Sequence, residues 1–275
     1  MTRSIRSALV VAFAFAAGVA VSSAHAAGPA PFKVPDDATI PKGPEGDAIK
    51  LGRAVITDTK KRLPNNVGNG LACTHCHLAA GTTPEAGPFV GLWGVFPEYR
   101  SRNGQVNSMQ QRINDCFERS MNGKALASDS KEMIAMLAYI QWLSTGVPVG
   151  VEVVGRGMPE GNTALKPNAS HGKAVYAEKC ASCHGASGGG TPNPAGGYFF
   201  PPVWGNASFN IGAGMARTYT AAGFIKQNMP LGQGGTLSDQ DAVDVAEYMT
   251  HQPRPAYAAA KNDYAKGVKP KDARN

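Results

Sequence analysis

Cys73-Thr74-His75-Cys76-His77 and Cys180-Ala181-Ser182-Cys183-His184 are two copies of one pattern, C-x-x-C-H, beginning 107 residues apart. Two thiols three positions apart can add to the two vinyl groups of a single porphyrin, and the next residue then brings an imidazole to the iron. The spacing therefore predicts two covalently bound haem c groups, attached through Cys73, Cys76, Cys180 and Cys183, with His77 and His184 as metal ligands. A zinc half-site would need a second pair of ligands elsewhere.

Working outward, the sequence around the two motifs repeats. A helix-like segment precedes each one, Asp47 to Val55 with Gly52 and Gly172 to Lys179, and a Trp-Gly pair follows each one, Trp93-Gly94 and Trp204-Gly205. Each half closes on an amphipathic stretch with an N-cap candidate, Ser128 to Leu143 and Ser238 to Met249. Apolar residues at Met133, Met136, Leu137, Ile140 and Leu143 recur at helical spacing, as do Val243, Ala246 and Met249, and these stripes are core packing. The expected fold is all-α: two tandem cytochrome c domains, each wrapping one haem. The Gly- and Pro-rich run from Ser187 to Pro202 is read as haem-wrapping loop rather than strand.

The expected boundaries are a signal peptide at 1–26, an N-terminal domain at 27–148, a linker at 149–168 and a C-terminal domain at 169–275. Arg3 and Arg6 precede an apolar run from Ala8 to Val21 and then Ala24-His25-Ala26, a signal-peptidase pattern that predicts cleavage after Ala26. That run is shorter than the ~20 residues of a spanning helix, so no stable membrane insertion is expected. Export to the periplasm agrees with covalent haem attachment, which is extracytoplasmic in bacteria.

The formal charge of +7 falls to +5 when the two signal-peptide arginines leave with no acidic residue. Such a surplus suits small anions or acidic redox partners. No basic stretch is interleaved with stacking aromatics, which argues against nucleic acid.

A second axial ligand is expected downstream of each haem histidine. In the second half Met229, 45 residues after His184, is preferred, with Met215 as competitor. In the first half Met121 stands 44 residues after His77, and the unpaired Cys116 stands five positions earlier. Spacing leaves both sulfurs open. A thiolate lowers the iron potential where a thioether raises it, so the choice decides between a reactive centre and a carrier. The remaining histidines beyond the signal, His75, His171 and His251, read as surface or packing residues.

Between Glu98 and Lys124 five basic residues face three acidic ones. If Ser108 to Ser120 is helical, Arg112, Arg119 and Ser120 share a face with Cys116. With Arg102 they are candidates for binding oxyanions, because guanidinium groups make paired hydrogen bonds to them. Solvated arginines, or arginines on haem propionates, remain the alternative.

The stretch from Arg112 to Lys124 (RINDCFERSMNGK), followed by Glu132 to Ser144 (EMIAMLAYIQWLS), resembles the thiosulfate dehydrogenase family of dihaem cytochromes c. Ser208 to Met215 (SFNIGAGM), Phe224-Ile225 and Asn228-Met229-Pro230 extend the resemblance over nearly the whole mature chain. It implies a first haem held by His77 and Cys116, with Cys116 in the active site, and Met121 as packing. Some family members carry lysine just before the second methionine and exchange the two ligands. Asn228 occupies that place here, so the resemblance implies constant His184/Met229 ligation. The implied reaction joins two thiosulfates into tetrathionate and passes two electrons to a soluble cytochrome or similar acceptor. Two alternatives stand beside it: a non-catalytic dihaem electron carrier, and the same site run as a tetrathionate reductase.

Overall fold

The structure is a computed structural model that describes residues 28–274. The expected signal segment lies outside the described residues. Among those residues no helix is long and apolar enough to cross a membrane.

The N-terminal half holds α1 (Pro44–Thr57), α2 (Thr59–Arg62), α3 (Leu78–Gly81), α4 (Met109–Arg119) and α5 (Lys131–Leu143). The C-terminal half holds α6 (Ala169–Lys179), α7 (Ala181–His184), α8 (Thr218–Asn228) and α9 (Asp239–Thr250). The ends follow the caps. Pro44 opens α1, the Ser108 hydroxyl accepts from Gln111 N–H at the start of α4, and Ser130, Asn168 and Ser238 do the same work for α5, α6 and α9.

In each half the first long helix crosses the last, α1 on α5 and α6 on α9, and a glycine sits at each crossing. A Cβ on Gly52 would meet the Ala135 carbonyl oxygen at 2.0 Å, and one on Gly172 the Asp244 carbonyl oxygen at 1.9 Å. Backbone-to-backbone approach this close excludes any side chain. Around the first crossing Val55, Ile56, Met133, Tyr139, Ile140 and Leu143 are buried; around the second, Tyr176, Val243, Val245 and Ala246. Full burial of each large apolar side chain contributes about 1.5–3 kcal/mol, so the two repeated stripes hold the two halves.

The repeat breaks at the tryptophans. Trp204 is buried against Tyr176 and Tyr248, whereas Trp93 is 38% exposed. The halves also interlock. Phe209, Ala213 and Ala216, from the C-terminal half, belong to the first core. The tail from Tyr257 to Gly267 runs back over the first half, where Tyr257 lies under the Arg119 guanidinium and Tyr264 N–H donates to Arg102 O at 2.6 Å.

Small sheets punctuate the helices. β1 (Glu98–Arg100) pairs antiparallel with β2 (Gln105–Asn107), and β3 (Thr191–Pro192) with β4 (Tyr198–Phe200). The second hairpin corrects the reading of Ser187 to Pro202 as loop without strand. Asn193 closes a turn on Gly197, with Gly196 and Gly197 both at positive φ, and the aromatic run Tyr198-Phe199-Phe200 favours extended backbone. The fold remains two helical cytochrome c domains.

Candidate functional site

Each C-x-x-C-H segment lies on a tight turn, closed by His77 N–H to Cys73 O at 2.9 Å and by His184 N–H to Cys180 O at 2.9 Å. The turns place Cys73, Cys76 and His77 on one cavity of about 290 Å³, and Cys180, Cys183 and His184 on another of about 400 Å³. Apolar side chains such as Leu71, Phe89, Met136 and Ile140 wall the first. Tyr176, Tyr198, Phe200 and Val245 wall the second.

Both histidines are oriented for metal binding. His77 Nδ1 donates to Gly87 O at 2.5 Å and His184 Nδ1 to Pro201 O at 2.8 Å, which leaves each Nε2 as the nitrogen able to bind a metal, with the His77 ring also beside Cys116. Burial also lowers the His184 pKa, which favours its neutral, ligating form. Paired thiols, an oriented imidazole and an apolar slot fit a covalently attached haem in both halves.

The cavities differ in what else reaches them. Cys116 projects from α4 into the first, and Arg112, one turn earlier, donates Nη1–H to its Sγ at 2.9 Å. Burial opposes ionisation of Cys116, but the Arg112 guanidinium and the adjoining His77 imidazole outweigh it and bring the thiol down to about 6. Burial instead pushes Cys73 up to about 11 and Cys76 up to about 12. Of the three thiols in this cavity, Cys116 is the one set up as a thiolate. Ser120 and Met121, just past the end of α4, line the same cavity, and Met121 is buried.

Arg112, Cys116 and Ser120 thus come together, while Arg102 and Arg119 stand apart from that cavity. Both donate to the Gly212 carbonyl, at 2.6 and 3.1 Å. Arg119 also grips Asp263 through both terminal nitrogens, at 2.7 and 2.8 Å, with each side chain only 9% exposed. A carbonyl of the second half holds both guanidinium groups, and a carboxylate of the C-terminal tail helps to draw that of Arg119 away from the Cys116 cavity. No local pattern foretells such partners, which lie 93 to 144 residues away.

In the second cavity Met229 follows α8 and Met215 precedes it; both line the wall, and Met215 also touches the first cavity. His75 proves to be a tie between the halves. It lines the second cavity, its Nδ1 accepts from Ala72 N–H at 3.0 Å, and its Nε2 donates to Tyr198 O in β4 at 3.2 Å. Arg156, in the expected linker, lines the first cavity and escaped the sequence reading.

Two such haem sites on two small helical domains make this a dihaem c-type cytochrome, with a thiolate-bearing cavity in its N-terminal half. Comparison with known proteins narrows the class. Residues 64–149 match the SoxA/TsdA cytochrome c domain and residues 169–253 the cytochrome c domain. The chain is similar to a thiosulfate dehydrogenase of Psychrobacter arcticus, 51% identical over 90% of this chain and 76% of the relative. Another, from Allochromatium vinosum, is 50% identical over 84% of this chain and 87% of the relative. The solved thiosulfate dehydrogenase TsdBA of Marichromatium purpuratum superposes with a TM-score of 0.76 at 39% identity over 82% of this chain. The present chain spans half the length of that one. It belongs to the thiosulfate dehydrogenase family of enzymes and carries two covalently bound haem c groups.

Proposed function

We propose that this protein is a periplasmic enzyme that oxidises two thiosulfates to tetrathionate in its first cavity. Electrons then pass through the second haem site to a soluble cytochrome or similar acceptor. The observation that carries the reading is Cys116: a half-buried residue whose sulfur is hydrogen-bonded to Arg112 and faces His77, on the wall of a haem cavity. A plain electron carrier has no use for such a group. When bound, the two haems supply two one-electron acceptors, matching the two electrons released.

In this reading His77 and Cys116 would hold the first haem iron, and His184 and Met229 the second. The Cys116 thiolate joins the outer sulfur of one thiosulfate, and the two electrons released would be taken up one each by the two haems. The outer sulfur of a second thiosulfate then attacks the outer sulfur of the adduct. A sulfur–sulfur bond forms, the bond to Cys116 breaks, and tetrathionate departs with the thiolate restored. Arg112 and Ser120 orient sulfonate oxygens beside Cys116. Arg102 and Arg119 act one layer out, holding through Gly212 the loop that brings Phe209 and Met215 to the cavity wall.

The test is thiosulfate-dependent reduction of an artificial acceptor by the holoprotein, with Cys116→Ala as control. Turnover by the parent and none by the variant is the expected result. Equal rates would overturn the mechanism.

A further inference from the structure

The mouth of the first cavity carries a charge cluster that the reaction above leaves unused. On β1, alternation sends Glu98 and Arg100 to the cavity and Tyr99, 56% exposed, to solvent. From the linker Arg156 reaches the same carboxylate. Its Nη2 lies 3.5 Å from Glu98 Oε1, and Arg100 Nη1 lies 3.3 Å from Glu98 Oε2. One carboxylate therefore sits between two guanidinium groups, with both contacts longer than the roughly 2.7–2.9 Å of a well-formed charge-assisted bond.

Arg156 is held in place by backbone. Gly155 and Gly157 on either side adopt φ of +74° and +84°, and their carbonyls accept from Glu85 N–H at 2.7 Å and Gly87 N–H at 2.8 Å. Gly87 is also the residue whose carbonyl orients His77. Arg100, Arg112 and Arg156 thus share one cavity with Glu98, the sole carboxylate among the described residues on its wall. Burial and the neighbouring Arg112 charge lower the Arg100 pKa against the opposing pull of Glu98, while Arg156 has a second partner, Glu152, at 3.2 Å on its outer side.

Resting on the thiosulfate reading, we propose that Arg100 and Arg156 form an oxyanion clamp at the cavity mouth, with Glu98 as its resident counter-ion. The oxyanion that displaces Glu98 is either a substrate sulfonate or a propionate of the first haem; both present the same planar or trigonal oxygen edge to a guanidinium fork. Arg156 is thereby a binding residue delivered by the segment between the halves, which also packs Val153 into the first core and lines the cavity with Gly157 and Met158.

The test uses full-length holoprotein with Arg156→Gln and Glu98→Gln, and Glu152→Gln as a control that removes only Arg156's outer, exposed contact. KM and kcat for thiosulfate and the midpoint potential of the first haem are measured together. If the clamp holds sulfonate, Arg156→Gln raises KM roughly fivefold and Glu98→Gln lowers it, with kcat and potential unchanged. If it holds propionate, KM stays put, the potential falls in Arg156→Gln and rises in Glu98→Gln. Movement of either readout in opposite directions by the two variants supports the clamp. Movement in the same direction, or none beyond the Glu152→Gln control, overturns it. A parent protein inert toward thiosulfate would sink the functional reading, while the paired potentials would still decide the clamp.

Discussion

The first cavity gathers Arg100, Arg112, Arg156, Glu98, Cys116 and Ser120 around His77, whereas the second surrounds His184 with Tyr198, Phe199, Phe200, Pro201, Pro202, Met215 and Met229. Both grow from the same helix crossing and the same attachment turn. The contrast teaches that the repeated fold supplies only the haem seat. What the seat does depends on the segment laid over its open face: α4 and the linker in one half, the hairpin and the Met229 loop in the other. A charged, thiol-bearing face suits anionic sulfur chemistry, and an aromatic, thioether-bearing face suits electron passage at raised potential.

The hardest blow to this contrast is Cys116→Met. With a thioether in place of the thiolate, the first haem's potential should rise toward that of the second and turnover should vanish, as read by spectroelectrochemistry and steady-state assay. Full activity in that variant would reduce the two cavities to two equivalent electron-transfer seats.

Next comes the methionine pair. Met229→Leu should erase the methionine-ligation band and lower the second haem's potential, and Met215→Leu should do neither. The reverse outcome would move the ligand to the residue that touches both cavities.

The helix crossings test how deep the likeness runs. Gly52→Ala and Gly172→Ala should each cost about 3 kcal/mol in denaturant unfolding of the holoprotein, because each new methyl lands on a carbonyl oxygen. Loss in only one half would mean that the other crossing relaxes.

The smallest effects belong to the C-terminal tail, which serves both halves differently. Asp263→Asn strips a buried partner from Arg119 and should cost about 2 kcal/mol, less than a fully orphaned ion because Gly212 still accepts. Asp272 accepts from Tyr219 N–H at 2.8 Å in the first turn of α8 and pairs with Arg217 at 3.5 Å, so Asp272→Ala should cost about 1 kcal/mol, mainly a capping loss. Thermal unfolding of the two variants side by side checks the order.

Much of the fold is legible in the sequence. Ser238 announces α9, and the stripes at Met133 to Leu143 and Val243 to Met249 mark the buried faces. The hairpin at Thr191 to Phe200 is concealed by the glycines and prolines of its own turn. Of the site, Arg112, Cys116 and Ser120 follow from helical spacing once α4 exists. Arg119 obeys that spacing too, and Arg102 stands in the same basic stretch, yet the side chains of both follow partners that no local pattern encodes.

The sequence by itself determined the covalent chemistry and the helical frame, because thiol spacing, caps and apolar periodicity act within a few residues along the chain. Only the tertiary structure decided which arginines face the sulfur, that Arg156 in a joining segment shares the cavity of Cys116, and that His75 ties one haem seat to the other. A guanidinium or imidazole takes its direction from the nearest acceptor in space. Here those acceptors, Gly212, Asp263, Glu98 and Tyr198, arrive from 58 to 144 residues away.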